Sequence, residues 1–361
     1  MPPGISLRHV SACFTSLSAG QARIFGDSNS LEILRDGANR PPIASYSDEE
    51  LTSRLAHSGF FDKEIASRLG ISISPEQPED RVIGRGMRAV MYLLITVDRE
   101  ADIPTALRHR LFFKSDSPEK NTEDVVEGAQ VMVHRSAPLV LGAPLRGGGW
   151  LAGNGLSNTS HHRRGLVVLG GKARIPQRFA IDWTRIGANG QPAHDDSANN
   201  ANWYAHGSEV LAVANAVVVD VKDGIPENDP TSDKRAIALT VDTVAGNCVM
   251  LDVGKGYFAF YAHLIPKSIR VHIGEKVRRG QVLALLGNSG NSSGPHLHFQ
   301  VTDGSSSLGT EGVPYVFESF ELQDILPPLG RVWKEWKPPA NLKADKRRKE
   351  IPTENAVVRF P

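Results

Sequence analysis

Apolar and polar residues alternate along much of the C-terminal half of the chain, in short runs rich in β-branched and aromatic side chains. The runs "VLAVANAVVVDVKDG", "CVMLDVGKGYFAFYAHL" and "QVLALLG" are typical, and Gly, Asn, Asp or Pro separates one run from the next. Side chains of a strand point alternately to two faces, so these runs predict strands joined by short turns. We therefore predict a mainly β fold with an antiparallel sheet in this half.

The N-terminal part has a mixed pattern. Residues 81–114 predict two strands around a polar turn that holds Pro104. Residues 46–69 predict a helical hairpin, because Ser47 or Asp48 can cap a first helix and a glycine interrupts the pattern before a second run. The predicted N-terminal domain is therefore β-rich, with a helical hairpin.

Glycine and proline are concentrated in "SAPLVLGAPLRGGGWLAGNGLSN", which predicts a domain boundary. We predict an N-terminal domain of unknown role at residues 1–140, a Gly/Pro-rich linker at 141–160 and a β-sheet core at 161–305. Residues 306–361 predict an extended tail, rich in proline and basic in "KADKRRKE", with one last strand at Ala356 to Phe360.

Composition limits the classes of function. The 361 residues are 40% hydrophobic with a net charge of +1, so the chain can bury a sizeable core and lacks the basic excess typical of nucleic-acid binding. No run approaches the roughly 20 apolar residues of a membrane span, and no signal peptide is visible. Cys13 and Cys248 fit no metal-binding spacing, and two free thiols are favoured over one disulfide.

Histidines mark the candidate site. In "GNSGNSSGPHLHFQV", His296 and His298 lie one residue apart, so a strand would direct both to one face while the apolar residues that alternate with them enter a core. His263 ends the run "YFAFYAH", and Asp182 in "RFAIDW" has apolar neighbours, where a carboxylate is costly without a partner. Imidazole and carboxylate are ligands that zinc favours, and catalytic zinc takes three protein ligands.

The segments "YAHL" and "GQVLALLGNSGNSSGPHLHF" together resemble the core of the lysostaphin-type (LytM-like) zinc metalloendopeptidases, hydrolases that cut peptide cross-links of peptidoglycan. The resemblance covers about residues 162–303 and neither the N-terminal 140 residues nor the tail. It implies an antiparallel β-sheet peptidase core, Zn²⁺ bound by Asp182 and His298, and catalytic roles for His263 and His296. It also implies a peptidoglycan peptide as the substrate and a periplasmic or extracellular location.

The resemblance breaks at one position. The family has its first zinc-binding histidine four residues before the aspartate, and this chain has Arg178 there, whose guanidinium cannot bind a metal. We expect His162 or His206 to replace the lost ligand, with His161 and His194 as weaker candidates. The alternative is that Arg178 forms a salt bridge with the aspartate in place of the metal.

Two functions are compatible with this pattern. The first is a zinc metalloendopeptidase with an altered first ligand, which hydrolyses peptide cross-links of peptidoglycan. The second is a catalytically inactive relative that binds peptidoglycan or regulates another cell-wall hydrolase. Bound zinc separates them, because only the enzyme requires the metal.

Overall fold

The computed structural model describes the chain in two parts. In the C-terminal part it describes residues 137–327 and 345–361, except 159, 170, 171, 189 and 231. In the N-terminal part it describes residues 6–7, 12–13, 22–23, 31–35, 42, 44–47, 55–57, 82–83, 89–92, 96–97, 104–115 and 123–133. The chain forms two compact units, one of Met1–Lys63 with Ser72–Ala137 and the other of Glu64–Ile71 with Pro138–Pro361.

The described N-terminal residues form mostly short strands. They are β1 (Ser6–Leu7), β2 (Ala12–Cys13), β3 (Ala22–Arg23), β4 (Leu31–Arg35), β5 (Ala44–Tyr46), β6 (Leu55–His57), β7 (Val82–Ile83), β8 (Ala89–Met91), β9 (Thr96–Val97), β10 (Ala106–Ser115) and β11 (Glu123–Met132). Strand β10 pairs antiparallel with β11, β4 and β3, and the side chains of Leu31, Ile33 and Leu111 are buried. The prediction of a β-rich N-terminal part is therefore confirmed for these residues.

The helical hairpin predicted at residues 46–69 is wrong where the structure describes that segment. Leu55–His57 forms β6, which pairs antiparallel with β8. Helix propensities differ by less than about 1 kcal/mol per residue among ordinary residues, so pairing with a neighbouring strand can override them. The rest of the predicted hairpin, residues 48–54 and 58–69, lies outside the described residues.

The C-terminal unit is built around one large sheet. Its elements are β12 (Leu139–Leu141), β13 (Gly147–Gly153), helix α1 (His161–Arg164), β14 (Val167–Leu169), β15 (Lys172–Arg174), β16 (Ile181–Arg185), a 3₁₀ turn (Asn200–Asn202), β17 (Glu209–Leu211), β18 (Ala216–Lys222), β19 (Asn247–Gly254), β20 (Tyr257–Leu264), β21 (Lys276–Val277), β22 (Val282–Leu285), β23 (Leu297–Thr302), β24 (Tyr315–Ile325), β25 (Asp345–Glu350) and β26 (Ala356–Phe360). Among the residues described, no helix is long and apolar enough to cross a membrane.

Eleven strands of the described part form this sheet, in the order β12-β24-β26-β13-β16-β23-β20-β19-β18-β21, with β25 paired to β24. Neighbouring strands are antiparallel except for β12 and β24. The predicted antiparallel sheet is therefore confirmed, and β16, β23 and β20 lie side by side near its middle.

One face of these central strands forms the core. Leu297, Phe299 and Val301 of β23 are fully buried. The ring of Phe299 packs against Tyr261 and Tyr315, with centroids 5.2 and 5.4 Å apart. Aromatic rings in such edge-to-face contact contribute packing beyond their buried area. This core fixes the plane of β23 and directs the alternate, polar residues of the strand to the opposite face.

Two boundaries differ from the sequence prediction. Gly147–Gly153, predicted as part of a linker, forms β13 between β16 and β26. Tyr315–Ile325 and Asp345–Glu350 form strands inside the predicted extended tail, whereas the strand predicted at Ala356 to Phe360 is confirmed. Glycine and proline favour turns locally, but backbone pairing on both sides and the burial of Trp150 at 1% exposure hold β13 extended.

Cys248 on β19 is a buried free thiol. Burial raises the pKa of Cys248 to about 12, so the thiol stays protonated and unreactive at neutral pH. The side chain of Cys13 lies outside the part of the chain whose side chains are described.

Candidate metal and active site

Neighbouring strands bring an aspartate and three histidines to one end of the sheet. Asp182 on β16 lies directly opposite His298 on β23, and His298 is opposite Ala262 on β20. Strict alternation would send His263 to the other face from Ala262, but its backbone is left-handed, with φ of 65°. The His263 ring lies 4.7 Å from the ring of His296, centroid to centroid. The register of the strands and the left-handed backbone of His263 therefore bring these four side chains together.

The Asp182 carboxylate is the centre of the site. Its Oδ1 accepts a hydrogen bond from His298 Nδ1 at 2.9 Å and lies 3.6 Å from His296 Nε2. Its Oδ2 accepts from the Asn154 amide at 2.8 Å and lies 3.4 Å from His162 Nε2. Three imidazoles thus surround one carboxylate, a donor set that zinc favours.

Three of the imidazoles at the site are held through Nδ1. The Nδ1–H groups of His162, His263 and His296 donate to the backbone carbonyls of Asn154 at 2.9 Å, Ser289 at 2.8 Å and Gly294 at 2.8 Å, respectively. Because a carbonyl can only accept, these bonds assign the proton to Nδ1 and leave the Nε2 lone pair of the neutral rings available. The His298 ring is turned the other way, since its Nε2 donates to the Gln300 side-chain oxygen at 2.8 Å and its Nδ1 faces Asp182.

Burial and mutual contact set the charges. Burial lowers the pKa of His162 from 6.5 to about 3, and burial together with His296 holds the pKa of His263 well below 6.5. Burial by itself opposes the ionised form of Asp182, but the imidazoles, with His162 foremost, hold the pKa of that carboxyl well below 3.8. Burial by itself lowers the pKa of His298, but the hydrogen bond that His298 donates to Asp182 and the negative charge of that carboxylate raise it above 6.5. At neutral pH the site therefore presents an ionised carboxylate and neutral imidazoles at His162 and His263.

A loop of buried amide contacts supports His263 and His296. The Asn228 amide donates to the carbonyls of Gly290 at 2.8 Å and Ser292 at 2.9 Å. Gly290 has φ of 75°, and a Cβ there would lie 2.2 Å from the backbone nitrogen of Gly246. The turn "GNSGNSSG" therefore needs glycine at this position for both conformation and space.

The candidate replacement ligands occupy different surroundings. His162 is 3% exposed and lies beside Asp182, as described above. His206 Nε2 instead contacts the Glu227 carboxylate at 3.1 Å, and exposed His194 contacts its neighbour Asp195. The exposed ring of His161 lies beside His162, and ligand atoms of His161, His162 and Asp182 all fall within 4.8 Å of one another.

Arg178 faces Glu311. Its Nε and a terminal nitrogen both lie 2.5 Å from Glu311 Oε1, and the second oxygen of that carboxylate accepts from the backbone of Ile175 at 3.0 Å. The ion pairs described for Asp182 are with imidazoles, and the one described for Arg178 is with Glu311. The guanidinium at the position of the lost ligand therefore ties the segment before β16 to the loop before β24.

Replacing Arg178 by methionine is expected to leave metal binding unchanged and to lower the free energy of unfolding by about 1–3 kcal/mol, because the partly buried Glu311 loses a charged hydrogen-bond partner. Metal analysis and urea unfolding check the two parts. Arg146→Met is the control, since Arg146 pairs with Glu209 on the exposed surface and such pairs contribute about 0–1 kcal/mol. A several-fold gain in zinc affinity in Arg178→Met would show that the guanidinium charge repels the metal.

Sequence reasoning missed two residues that orient the group. Asn154 has a left-handed backbone, with φ of 49°, and contacts both Asp182 and His162. It lies in the segment predicted as linker, where an asparagine after glycines suggests only a turn. Gln300 follows His298 by two residues, which places both on one face of β23. The spacing His-x-Gln was a usable signal for this contact.

Comparison with known proteins gives one family. Residues 201–309 match the family model described as "Peptidase family M23". The matched residues contain His263, His296 and His298, but the match begins after His162 and Asp182. The LytM-like resemblance of this region is therefore confirmed, while the first ligand region lies outside the match.

Curated relatives match over short segments. The chain is 46% identical over 57 residues to "Peptidoglycan DD-endopeptidase ShyA" of Vibrio cholerae, which is 16% of this chain and 13% of that protein. It is 39% identical over 71 residues to "Peptidoglycan DD-endopeptidase ShyB" of the same organism, which is 20% of this chain and 16% of that protein. An "Uncharacterized metalloprotease" of Buchnera aphidicola is 32% identical over 95 residues, or 26% of this chain and 20% of that protein. The chain therefore aligns with a fifth or less of the length of these relatives.

Solved structures show a partial likeness. The catalytic domain of the A109H mutant of the prophage-encoded M23 protein EnpA from Enterococcus faecalis is 20% identical, with a TM-score of 0.27, over 49% of this chain and 92% of that chain. The catalytic domain of lysostaphin from Staphylococcus simulans is 21% identical, with a TM-score of 0.21, over 35% and 86%. At these scores no detail of the site is transferred.

Proposed function

Because the chain carries a Peptidase family M23 domain at residues 201–309, we propose that it is a zinc-dependent endopeptidase that hydrolyses peptide cross-links of bacterial peptidoglycan. The metal ligands are His162, Asp182 and His298, with His162 in place of the histidine that the family has at position 178. The relatives named as peptidoglycan DD-endopeptidases support the choice of substrate. Such a substrate lies outside the cytoplasmic membrane, so the protein acts in the periplasm or outside the cell.

One observation supports this proposal above the others. The buried imidazole of His162 lies 3.4 Å from the carboxylate oxygen of Asp182, and its other nitrogen is committed to the carbonyl of Asn154. A ring held in this way presents Nε2 to the site at little further cost in conformational entropy. The third ligand that Arg178 cannot supply is thereby available from another element, the short helix α1.

The donor set fits zinc. His162 is neutral, His298 can lose its Nδ1 proton to a metal, and Asp182 is ionised. Two imidazoles and one carboxylate match the composition of a catalytic zinc site with three protein ligands. Bound at these residues, Zn²⁺ would supply Lewis-acid polarisation of the scissile carbonyl.

His263 and His296 are the catalytic side chains of the proposed mechanism. The neutral His263 ring, held through Nδ1, can accept a proton from the attacking water at Nε2. His296, held in the same way by Gly294, directs Nε2 into the site and can donate a hydrogen bond there when that nitrogen is protonated, which stabilises the developing oxyanion. The two rings orient the attacking water towards the scissile carbonyl. The burial of His263 limits the access of other water molecules to the site.

Purified protein tests the proposal directly. We expect about one equivalent of zinc per chain and release of soluble fragments from purified peptidoglycan, with both lost in Asp182→Ala and in His298→Ala. Far-UV circular dichroism of the variants checks that the sheet is retained. Protein that binds peptidoglycan but holds no zinc after incubation with the metal would contradict the enzyme and favour the catalytically inactive relative.

A further inference from the structure

Gln300 differs from the other groups that hold the imidazoles. His162, His263 and His296 are each fixed by a backbone carbonyl, whereas His298 is fixed by the side chain of Gln300. The Ser292 hydroxyl also lies 3.2 Å from His296 Nδ1, but Gln300 is the side chain that holds one of the proposed ligand imidazoles, and a substitution can remove it. Both residues are almost fully buried, at 1% exposure for Gln300 and 4% for His298.

The hydrogen bonds of Gln300 assign its amide. Its Nε2 lies 3.0 Å from the backbone carbonyl of Ser307, which can only accept, so this atom is the NH₂ group of the amide. The amide oxygen is then the atom that lies 2.8 Å from His298 Nε2. An amide oxygen can only accept, so His298 Nε2 must carry a proton. The direction of this relay of hydrogen bonds is therefore fixed: His298 donates to Gln300, and Gln300 donates to the Ser307 carbonyl.

This direction decides which nitrogen of His298 faces the carboxylate. With Nε2–H committed to Gln300, Nδ1 is the nitrogen that lies 2.9 Å from Asp182. A ring flip would put Cδ2 and Cε1 where Nδ1 and Nε2 now lie, leave the buried amide oxygen of Gln300 without a donor and move Nδ1 away from the carboxylate. Such an unmade buried hydrogen bond costs about 1–3 kcal/mol. The strand geometry makes the relay possible, because His298 and Gln300 are two residues apart on β23 and share a face.

We propose that Gln300 is a positioning residue of the metal site, which holds the His298 ring so that Nδ1 is the zinc ligand. This inference rests on the proposed function, and it adds which nitrogen of one ligand, His298, binds the metal. The hydrogen bonds described for Gln300 join it to His298 and to the Ser307 carbonyl, so it acts through His298. Being uncharged, it fixes the ring without the additional basicity that a carboxylate partner gives a ligating histidine.

Two substitutions separate orientation from charge. Gln300→Met keeps similar volume and removes the acceptor, and we expect zinc affinity to fall about 10–100-fold, the usual effect of losing such a partner. Gln300→Glu loses the donor to the Ser307 carbonyl but keeps an acceptor for Nε2–H, so its zinc affinity is expected to stay well above that of Gln300→Met. Gln281→Met is the control, because the Gln281 amide also donates one hydrogen bond and accepts one, but its partners are the Glu275 carboxylate and the Arg278 backbone nitrogen.

Competition with a fluorescent chelator measures zinc affinity, and nitrogen-15 spectra of histidine-labelled, zinc-loaded protein show which ring nitrogen of His298 carries hydrogen. We expect hydrogen on Nε2 in the wild type and in Gln300→Glu, and a loss of this single pattern in Gln300→Met. Unchanged affinity and an unchanged pattern in Gln300→Met, or a Gln300→Glu variant as weak as Gln300→Met, would overturn the inference. A wild type that binds no zinc would instead overturn the proposed function.

Discussion

Replacing His162 by alanine is expected to remove bound zinc and to abolish hydrolysis of peptidoglycan. The substitution leaves only Asp182 and His298 as ligands, and two protein ligands do not complete a catalytic zinc site. It also removes the ring whose Nδ1 donates to the Asn154 carbonyl, so the amide that contacts Asp182 loses part of its support. Zinc per chain, measured after dialysis against metal-free buffer, should fall from about one equivalent to a small fraction.

His206→Ala provides the matched control for this experiment. His206 was the other candidate replacement ligand, but it contacts Glu227 and should keep both zinc and activity when changed. His161→Ala tests a different ligand set, since His161 also lies within 4.8 Å of His162 and Asp182 at its ligand atoms. Retention of zinc in His162→Ala, or its loss in His161→Ala, would mean that the ligand set proposed above is wrong.

Replacing His263 by alanine is expected to lower the rate of peptidoglycan hydrolysis by about 10²–10⁴-fold while zinc stays bound, because positioned general acid–base groups contribute rate factors of this size. His263 contacts His296, and the hydrogen bond described for its side chain is to the Ser289 carbonyl rather than to the Asp182 carboxylate. Initial rates on purified peptidoglycan and metal analysis of the same sample measure the two quantities together.

A histidine outside the site controls for the loss of an imidazole. His272 is 83% exposed and pairs with Glu275 three residues further on, so His272→Ala should leave rate and zinc unchanged. Equal zinc loss in His263→Ala and in His298→Ala would assign His263 to the metal and remove the distinction between ligands and catalytic residues. Unchanged hydrolysis in His263→Ala would mean that it takes no part in the chemistry.

The local pattern of the sequence predicted β23 well. Alternation in "HLHFQV" requires only that one face be apolar and the other polar, and a strand between two neighbours satisfies both. The same reasoning predicted that His296 and His298 share a face. It did not reveal Gln300 as their neighbour, although the residue lies on that face two positions further on.

Elements whose local sequence favours turns were predicted poorly. Gly147–Gly153 was predicted as linker and is a central strand, and Tyr315–Ile325 was predicted as extended tail and is the longest strand of the large sheet. Both owe their conformation to partners distant in the chain, such as the pairing of Trp150 with Val358. Contacts of this range leave no periodic signal in the segment itself.

By itself, the sequence determined the mainly β character of the core, the alternation that separates the core face from the site face in β23, and the chemical types of the candidate ligands. Each of these follows from residue type and from spacing over a few positions. Only the tertiary structure decided that His162 rather than His206 lies beside Asp182 and that Arg178 turns to Glu311. The physical reason is that strand pairing and the support of Asn154 bring together groups separated by up to about 140 residues, and no local pattern records which of several histidines will reach one carboxylate.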